Sequence, residues 1–122
     1  MAQEQKLKIL IAEDDRFIAR AYQDGLTRAG FEVQTVADGD DVLEKIREFN
    51  PELLLLDIIM PGKNGFEILA EIRTGKILAK RIPVIILSNL GEDSDIEKGK
   101  ALGADDYLVK SNYSMREVIE KV

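Results

Sequence analysis

Apolar residues in this chain fall into short runs that alternate with amphipathic stretches of helical spacing. Leu7-Lys8-Ile9-Leu10-Ile11-Ala12 opens the pattern as a strand. Phe17, Ile18, Ala21, Tyr22 and Leu26 then recur at spacings that share one helical face, and Gly30 supplies a stop. Phe31-Glu32-Val33-Gln34-Thr35-Val36 alternates apolar and polar residues, the mark of a half-exposed edge strand. Gly39-Asp40-Asp41 opens a second helix carrying Val42, Leu43, Ile46 and Phe49, which ends at Asn50-Pro51. Leu53-Leu54-Leu55-Leu56 is apolar on both faces and suits a central parallel strand, although period alone does not separate this from a buried helix. Met60-Pro61-Gly62 and Asn64-Gly65 supply turns. Phe66, Ile68, Leu69 and Ile72 mark a third helix, and Val84-Ile85-Ile86-Leu87 a buried strand. Glu92 to Leu102 reads as a weak, polar helix ending at Gly103, and Tyr107-Leu108-Val109 as a last strand. Ser114-Met115-Arg116-Glu117 has capping-box spacing and starts a final helix with Val118 and Ile119.

Five strands and five helices in strict alternation predict an α/β fold. Right-handed crossovers make it a (βα)5 three-layer sandwich around a parallel five-stranded sheet. The alternating second run belongs at an edge, and the all-apolar third and fourth runs belong inside. Both facts agree with the flavodoxin-like strand order 2-1-3-4-5. A length of 122 residues fits one domain spanning residues 1–122.

Composition narrows the chemistry. Cysteine is absent, so disulfides and thiolate metal sites are excluded and a cytoplasmic location is expected. Histidine is absent too, which removes the commonest general base and zinc ligand. A formal net charge of −6 argues against nonspecific binding to nucleic acid or to anionic membranes, and neither is expected as a partner. Met1-Ala2-Gln3-Glu4-Gln5-Lys6 carries no apolar leader core, and no run approaches membrane-spanning length.

In open parallel sheets ligands bind beyond the carboxyl ends of the strands, near the point where strand order reverses. Strand one exits into Glu13-Asp14-Asp15, strand three into Asp57, strand four into Ser88-Asn89 and strand five into Lys110-Ser111. Asp38, beyond strand two, lies away from the rest. With strands one and three adjacent, Glu13, Asp14 and Asp57 should converge. Taken singly, Asp14 or Asp15 serves equally well as a helix N-cap, Ser88 as a turn residue and Lys110 as a solvated lysine. Taken together they are harder to dismiss. Two carboxylates about 4 Å apart repel by ~4 kcal/mol at an effective dielectric near 20. A hard divalent ion with oxygen ligands relieves that strain, and a lysine and a hydroxyl opposite would complete an oxyanion site.

The acidic pair after strand one, Asp57-Ile58-Ile59-Met60-Pro61-Gly62, Asn64-Gly65, Ser88 and Tyr107-Leu108-Val109-Lys110 together resemble the signature of response-regulator receiver domains of two-component signalling, of the chemotaxis-receiver type. The likeness runs over nearly the whole chain in order. It implies that Asp57 is the phosphoacceptor. It also implies Mg²⁺, or Mn²⁺ in its place, held by Asp14, by Glu13 through water, by Asp57 and by the Ile59 backbone carbonyl. Lys110 would neutralise the phosphoryl oxygens. Ser88 would bond one of them, and Tyr107 would turn toward the space that Ser88 vacates. The implied donor is a phosphohistidine on a sensor histidine kinase or a histidine phosphotransfer protein. The implied output is a change on the face of the fourth helix, fifth strand and fifth helix, read by a downstream partner or by an output domain absent from this chain.

Three departures from the family pattern stand out. Ser111 follows Lys110 where many receivers have proline with a cis bond; without proline a cis bond costs ~3–4 kcal/mol, so a trans bond is expected. Asn89 stands where Ala or Gly is commoner. The last helix stops short at Val122. Ile59 and Leu90 are apolar, should flank the phosphoryl group and cannot orient a water, which predicts slow self-dephosphorylation. Competing readings are a receiver reduced to a constitutive interaction module, an aspartyl-phosphate hydrolase of the haloacid-dehalogenase type, and an FMN-binding flavodoxin. The intact acids and lysine oppose the first. Ile58-Ile59 after Asp57, in place of a second acid, opposes the second. The acids after strand one would repel a flavin phosphate and oppose the third.

Overall fold

A computed structural model describes residues 6–75 and 81–122; residues 1–5, most of the leading stretch read above as carrying no apolar leader core, lie outside it. Strands β1 (Lys8–Ala12), β2 (Glu32–Val36), β3 (Leu53–Leu56), β4 (Val84–Ser88) and β5 (Asp106–Val109) alternate with helices α1 (Arg16–Arg28), α2 (Val42–Phe49), α3 (Gly65–Thr74), α4 (Asp93–Ala101) and α5 (Met115–Lys121). All strand pairs are parallel and the order is β2-β1-β3-β4-β5, as expected. Among the described residues no helix is long and apolar enough to cross a membrane.

The strand residues sort by period two into the layers that cover the sheet. Ile9, Ile11, Leu55, Ile85, Leu87 and Leu108 face a core shared with Tyr22 and Leu26 of α1 and Val118 of α5. Leu10, Ala12, Leu54, Leu56, Val84 and Ile86 face the other core, built with α2 and α3 residues such as Ile46 and Leu69. Burial on both faces accounts for the unbroken apolar runs of β3 and β4, and half-exposure of β2 for its alternation.

Local signals set the ends of the elements. The Asp15 carboxylate accepts from the amides of Phe17 at 2.9 Å and Ile18 at 3.1 Å, which makes Asp15 the N-cap of α1. Asn64 and Ser114 each complete a capping box, with Glu67 and Glu117. Asn50 closes α2 in the left-handed region at φ 54°. Gly39–Asp41 forms a separate 3-10 turn ahead of α2, because Asp38 caps it through the Asp40 amide. All peptide bonds among the described residues are trans, including Lys110–Ser111, where a 3-10 turn (Lys110–Asn112) leads toward α5. One expected core residue is displaced: Phe17 is 86% exposed, and Ala19 takes the inward position in the first turn of α1. The cap at Asp15 sets the phase of the helix so that residues 19, 22 and 26 face the sheet.

Candidate functional site

The period that sorts the core continues past the strand ends and divides the polar residues. Glu13 follows Ile9 and Ile11, Asp57 follows Leu55, and Lys110 follows Leu108; all three extend the rows that face α1 and α5. Ser88 follows Val84 and Ile86, and Tyr107 belongs to the same opposite core. Register brings the first set level. Ala12 pairs with Leu56, and the Asp57 amide donates to the Ala12 carbonyl at 2.9 Å, so Glu13 and Asp57 leave the sheet side by side.

There the carboxylates of Glu13, Asp14 and Asp57 place one oxygen each within 4.8 Å of one another. Asp14 is exposed, whereas Glu13 and Asp57 are only 5% and 7% exposed. The Lys110 ammonium donates to Glu13 Oε1 and to Asp57 Oδ2, the latter at 3.1 Å. The second Asp57 oxygen accepts from the Ile58 amide at 2.7 Å, with the Ile59 amide at 3.4 Å. Burial pushes the Glu13 carboxyl up to about 7, against the pull of Lys110 and with the push of Asp57. Burial also works against the Lys110 ammonium, but its two carboxylate partners outweigh it and hold its pKa above the ordinary lysine value.

The structure thus brings together Glu13, Asp14, Asp57 and Lys110, as expected. The direct Lys110–Glu13 contact had no signal in the sequence. Ser88 and Tyr107 are both tied to the loop that follows β4. Ser88 is 1% exposed, and its hydroxyl accepts from the Leu90 amide at 3.3 Å. The Tyr107 hydroxyl donates to the Leu90 carbonyl at 2.5 Å, so the ring is already turned inward. Burial first, then the charges of Asp95 and Asp57, push that phenol up to about 12. The ring lies so close to α4 that a Cβ on Gly99 would stand 2.9 Å from Tyr107 Cδ2. Ile59 is exposed, while Leu90 packs against the larger core. Asp38 stays apart from the acidic cluster, beside Gly62, where a Cβ would come within 2.5 Å of its carboxylate.

Three hard oxygen donors converging on one point match the ligand set of a small divalent cation, and the ammonium between two of them shows how strongly the cluster demands positive charge. A family model described as the response regulator receiver domain matches residues 9–122. The transcriptional regulatory protein AfsQ1 of Streptomyces coelicolor is 41% identical over 102 residues, which are 84% of this chain and 44% of that protein. The alkaline phosphatase synthesis transcriptional regulatory protein PhoP of Bacillus subtilis is 36% identical over 115 residues, 94% of this chain and 46% of that protein. The chain therefore spans less than half the length of these two relatives. The receiver domain of the Francisella response regulator 1452 matches in structure with a TM-score of 0.86 at 32% identity, covering 95% of this chain and 93% of that one.

Proposed function

The chain belongs to the response regulator receiver domain family, and from that premise we propose that it takes a phosphoryl group onto Asp57 from a phosphohistidine of a sensor histidine kinase or histidine phosphotransfer protein. The observation that carries this reading is the convergence of Glu13, Asp14 and Asp57 with the Lys110 ammonium among them. An Asp57 carboxylate oxygen attacks phosphorus, the phosphorus–nitrogen bond to the donor imidazole breaks, and the bonding pair stays on that nitrogen. The product is an acyl phosphate. Such transfer asks a protein for positioning and charge rather than for proton chemistry, which suits a site without histidine.

Glu13, Asp14, Asp57 and the Ile59 carbonyl would hold Mg²⁺, with Mn²⁺ as the alternative. When bound, the ion neutralises charge on the transferred phosphoryl group. The two backbone amides on Asp57 fix its carboxylate, and Lys110 moves from carboxylate toward phosphoryl oxygen. Ser88 supplies a hydroxyl to the phosphoryl group at the expense of its bond to the Leu90 amide. That draws in the β4–α4 loop, to which the Tyr107 hydroxyl is tied. A coupling of about 1–3 kcal/mol to the α4-β5-α5 face is typical of such switches. The reader of that face is a separate partner or an output domain of a longer protein, in keeping with the length of the two regulatory relatives. Self-dephosphorylation is slow because the exposed Ile59 side chain cannot orient a water. Ile59→Asn is expected to shorten the phosphoryl lifetime, and an unchanged decay rate counts against this part.

Incubation with Mg²⁺ and acetyl phosphate, followed by intact-mass measurement, tests the whole. One added phosphoryl group is expected, and none in Asp57→Asn. A gain that survives in the variant misplaces the acceptor, and no gain in either refutes the function.

A further inference from the structure

Gly39 is buried in the 3-10 turn between β2 and α2, and the stretch that follows Asp57 lies directly against it. Its amide donates to the Pro61 carbonyl at 2.9 Å. Among the described residues that is the one backbone–backbone bond of residues 59–63 outside helices and strands. A Cβ on residue 39 would collide with the Lys63 carbonyl oxygen, and it would stand 2.7 Å from the carbonyl carbon and 3.0 Å from the Lys63 nitrogen. All three atoms are main chain, so one loop or the other would have to give way. Only a residue without a side chain permits such an approach. The facing loop makes the same concession: Gly62, at φ 75°, leaves room for the Asp38 and Asp40 carboxylates. At its base the loop is pinned a second time, where the Gly65 amide donates to the Ile58 carbonyl at 2.8 Å. The amides of Ile58 and Ile59, at the start of the loop, hold Asp57 Oδ1 at 2.7 Å and 3.4 Å. The longer of these bonds is already at the limit for an N–H donor, so a shift of a few tenths of an ångström at Ile59 breaks it.

We propose that Gly39 is a positioning residue for Asp57: the β2–α2 turn braces the loop that follows Asp57, and through that loop it sets the aim of the Asp57 carboxylate and of the Ile59 carbonyl beside it. The effect on the carboxylate stands on the bonds just described, whereas the effect on ion binding rests on the Mg²⁺ site of the proposed function. Coupling between two sites is reciprocal, so a bound ion must steady the brace as much as the brace steadies the ion. The sequence marked Gly39 only as the opening of the second helix, a place that many residues can fill.

Gly39→Ala is compared with wild type and with Ile46→Val, which loosens the core under α2 and leaves residue 39 a glycine. In ¹H–¹⁵N spectra of the whole chain without metal, Gly39→Ala is expected to move the Ile58 and Ile59 amide signals. Its Mg²⁺ affinity in titration calorimetry is expected to fall about tenfold. Ile46→Val should leave both as in wild type. In wild type, saturating Mg²⁺ should slow hydrogen exchange of the Gly39 amide. Unmoved Ile58 and Ile59 signals in Gly39→Ala overturn the proposal. So does an undiminished Mg²⁺ affinity in that variant, or an equal effect from Ile46→Val. If Gly39→Ala does not fold, wild type decides: a Gly39 amide that exchanges as freely as one in an unstructured peptide overturns the brace, and slow exchange supports it. If wild type binds no Mg²⁺, the ion site of the proposed function fails, while the metal-free signals and exchange still judge the brace.

Discussion

Removing the Lys110 ammonium leaves two buried carboxylates facing each other without a cation, and Lys110→Met does so with little change in side-chain length. The oxygens of Glu13 and Asp57 lie within 4.8 Å, so their repulsion is about 3.5 kcal/mol at an effective dielectric near 20. Breaking a buried pair by deleting one partner has a measured range of about 3–5 kcal/mol, which brackets that figure. We expect Lys110→Met to be less stable than wild type by about 3 kcal/mol at pH 8, as read from urea unfolding by far-UV circular dichroism. The pH dependence has a definite sign. The Glu13 carboxyl already sits at about 7 through burial, and loss of Lys110 raises it further. A carboxyl raised in the folded state favours folding below its ordinary pKa and loses that contribution as pH rises through the folded value. The gap between variant and wild type should therefore be small near pH 5 and widen toward pH 8. A penalty below about 1 kcal/mol at pH 8, or one of equal size at both pH values, refutes the reasoning.

Gly99→Ala should gain up to about 1 kcal/mol of helix propensity, but its Cβ meets Ile86 Cδ1 at 2.8 Å and the Tyr107 ring at 2.9 Å; a net loss of about 1 kcal/mol in urea unfolding is expected, and a gain would mean that α4 yields freely. Arg73→Ala loses bonds to the Ile82 carbonyl at 2.6 Å, the Gly103 carbonyl at 2.9 Å and Asp105, which should cost about 2–3 kcal/mol. Burial pushes the Asp105 carboxyl up, but Arg81, the Val84 amide and Arg73 together hold it below its ordinary value. Its contribution is therefore present above about pH 4 and lost as pH falls through the folded pKa, and Arg73→Ala should flatten that acid limb in unfolding measured at stepped pH. Asp14→Ala should weaken Mg²⁺ binding at least about tenfold by isothermal titration calorimetry; unchanged affinity would place the ion elsewhere.

Strand order was legible because burial on both faces and burial on one write different patterns, as β3 and β2 show. The acids were legible because ligand sites in such sheets lie at the carboxyl ends of adjacent strands. What could not be read is the outcome of competition between equivalent partners. Either Asp14 or Asp15 could cap α1; Asp15 does so, which frees Asp14 for the cluster and turns Phe17 outward. Lys110 reaches Glu13 across two intervening strands, a pairing set by side-chain length and burial that no local spacing encodes. Ser88 and Lys110 follow strand rows on opposite faces, as counting from Val84 and Leu108 shows, so any meeting at one rim depends on how the chain turns beyond β4 and β5, which period two does not encode.

Tyr107 and the strand row that leads to Asp57 belong to opposite faces of the sheet, a wall one backbone thick. Under the proposed function no side chain of the acidic cluster would need to touch Tyr107 for news of its state to arrive. In the proposed switch the main chain of the β4–α4 loop would be the courier, because it presents a Leu90 amide to the Ser88 hydroxyl and a Leu90 carbonyl to the Tyr107 hydroxyl. Packing on either side of the sheet can then drift in the course of evolution without garbling the other, provided that this loop keeps its path.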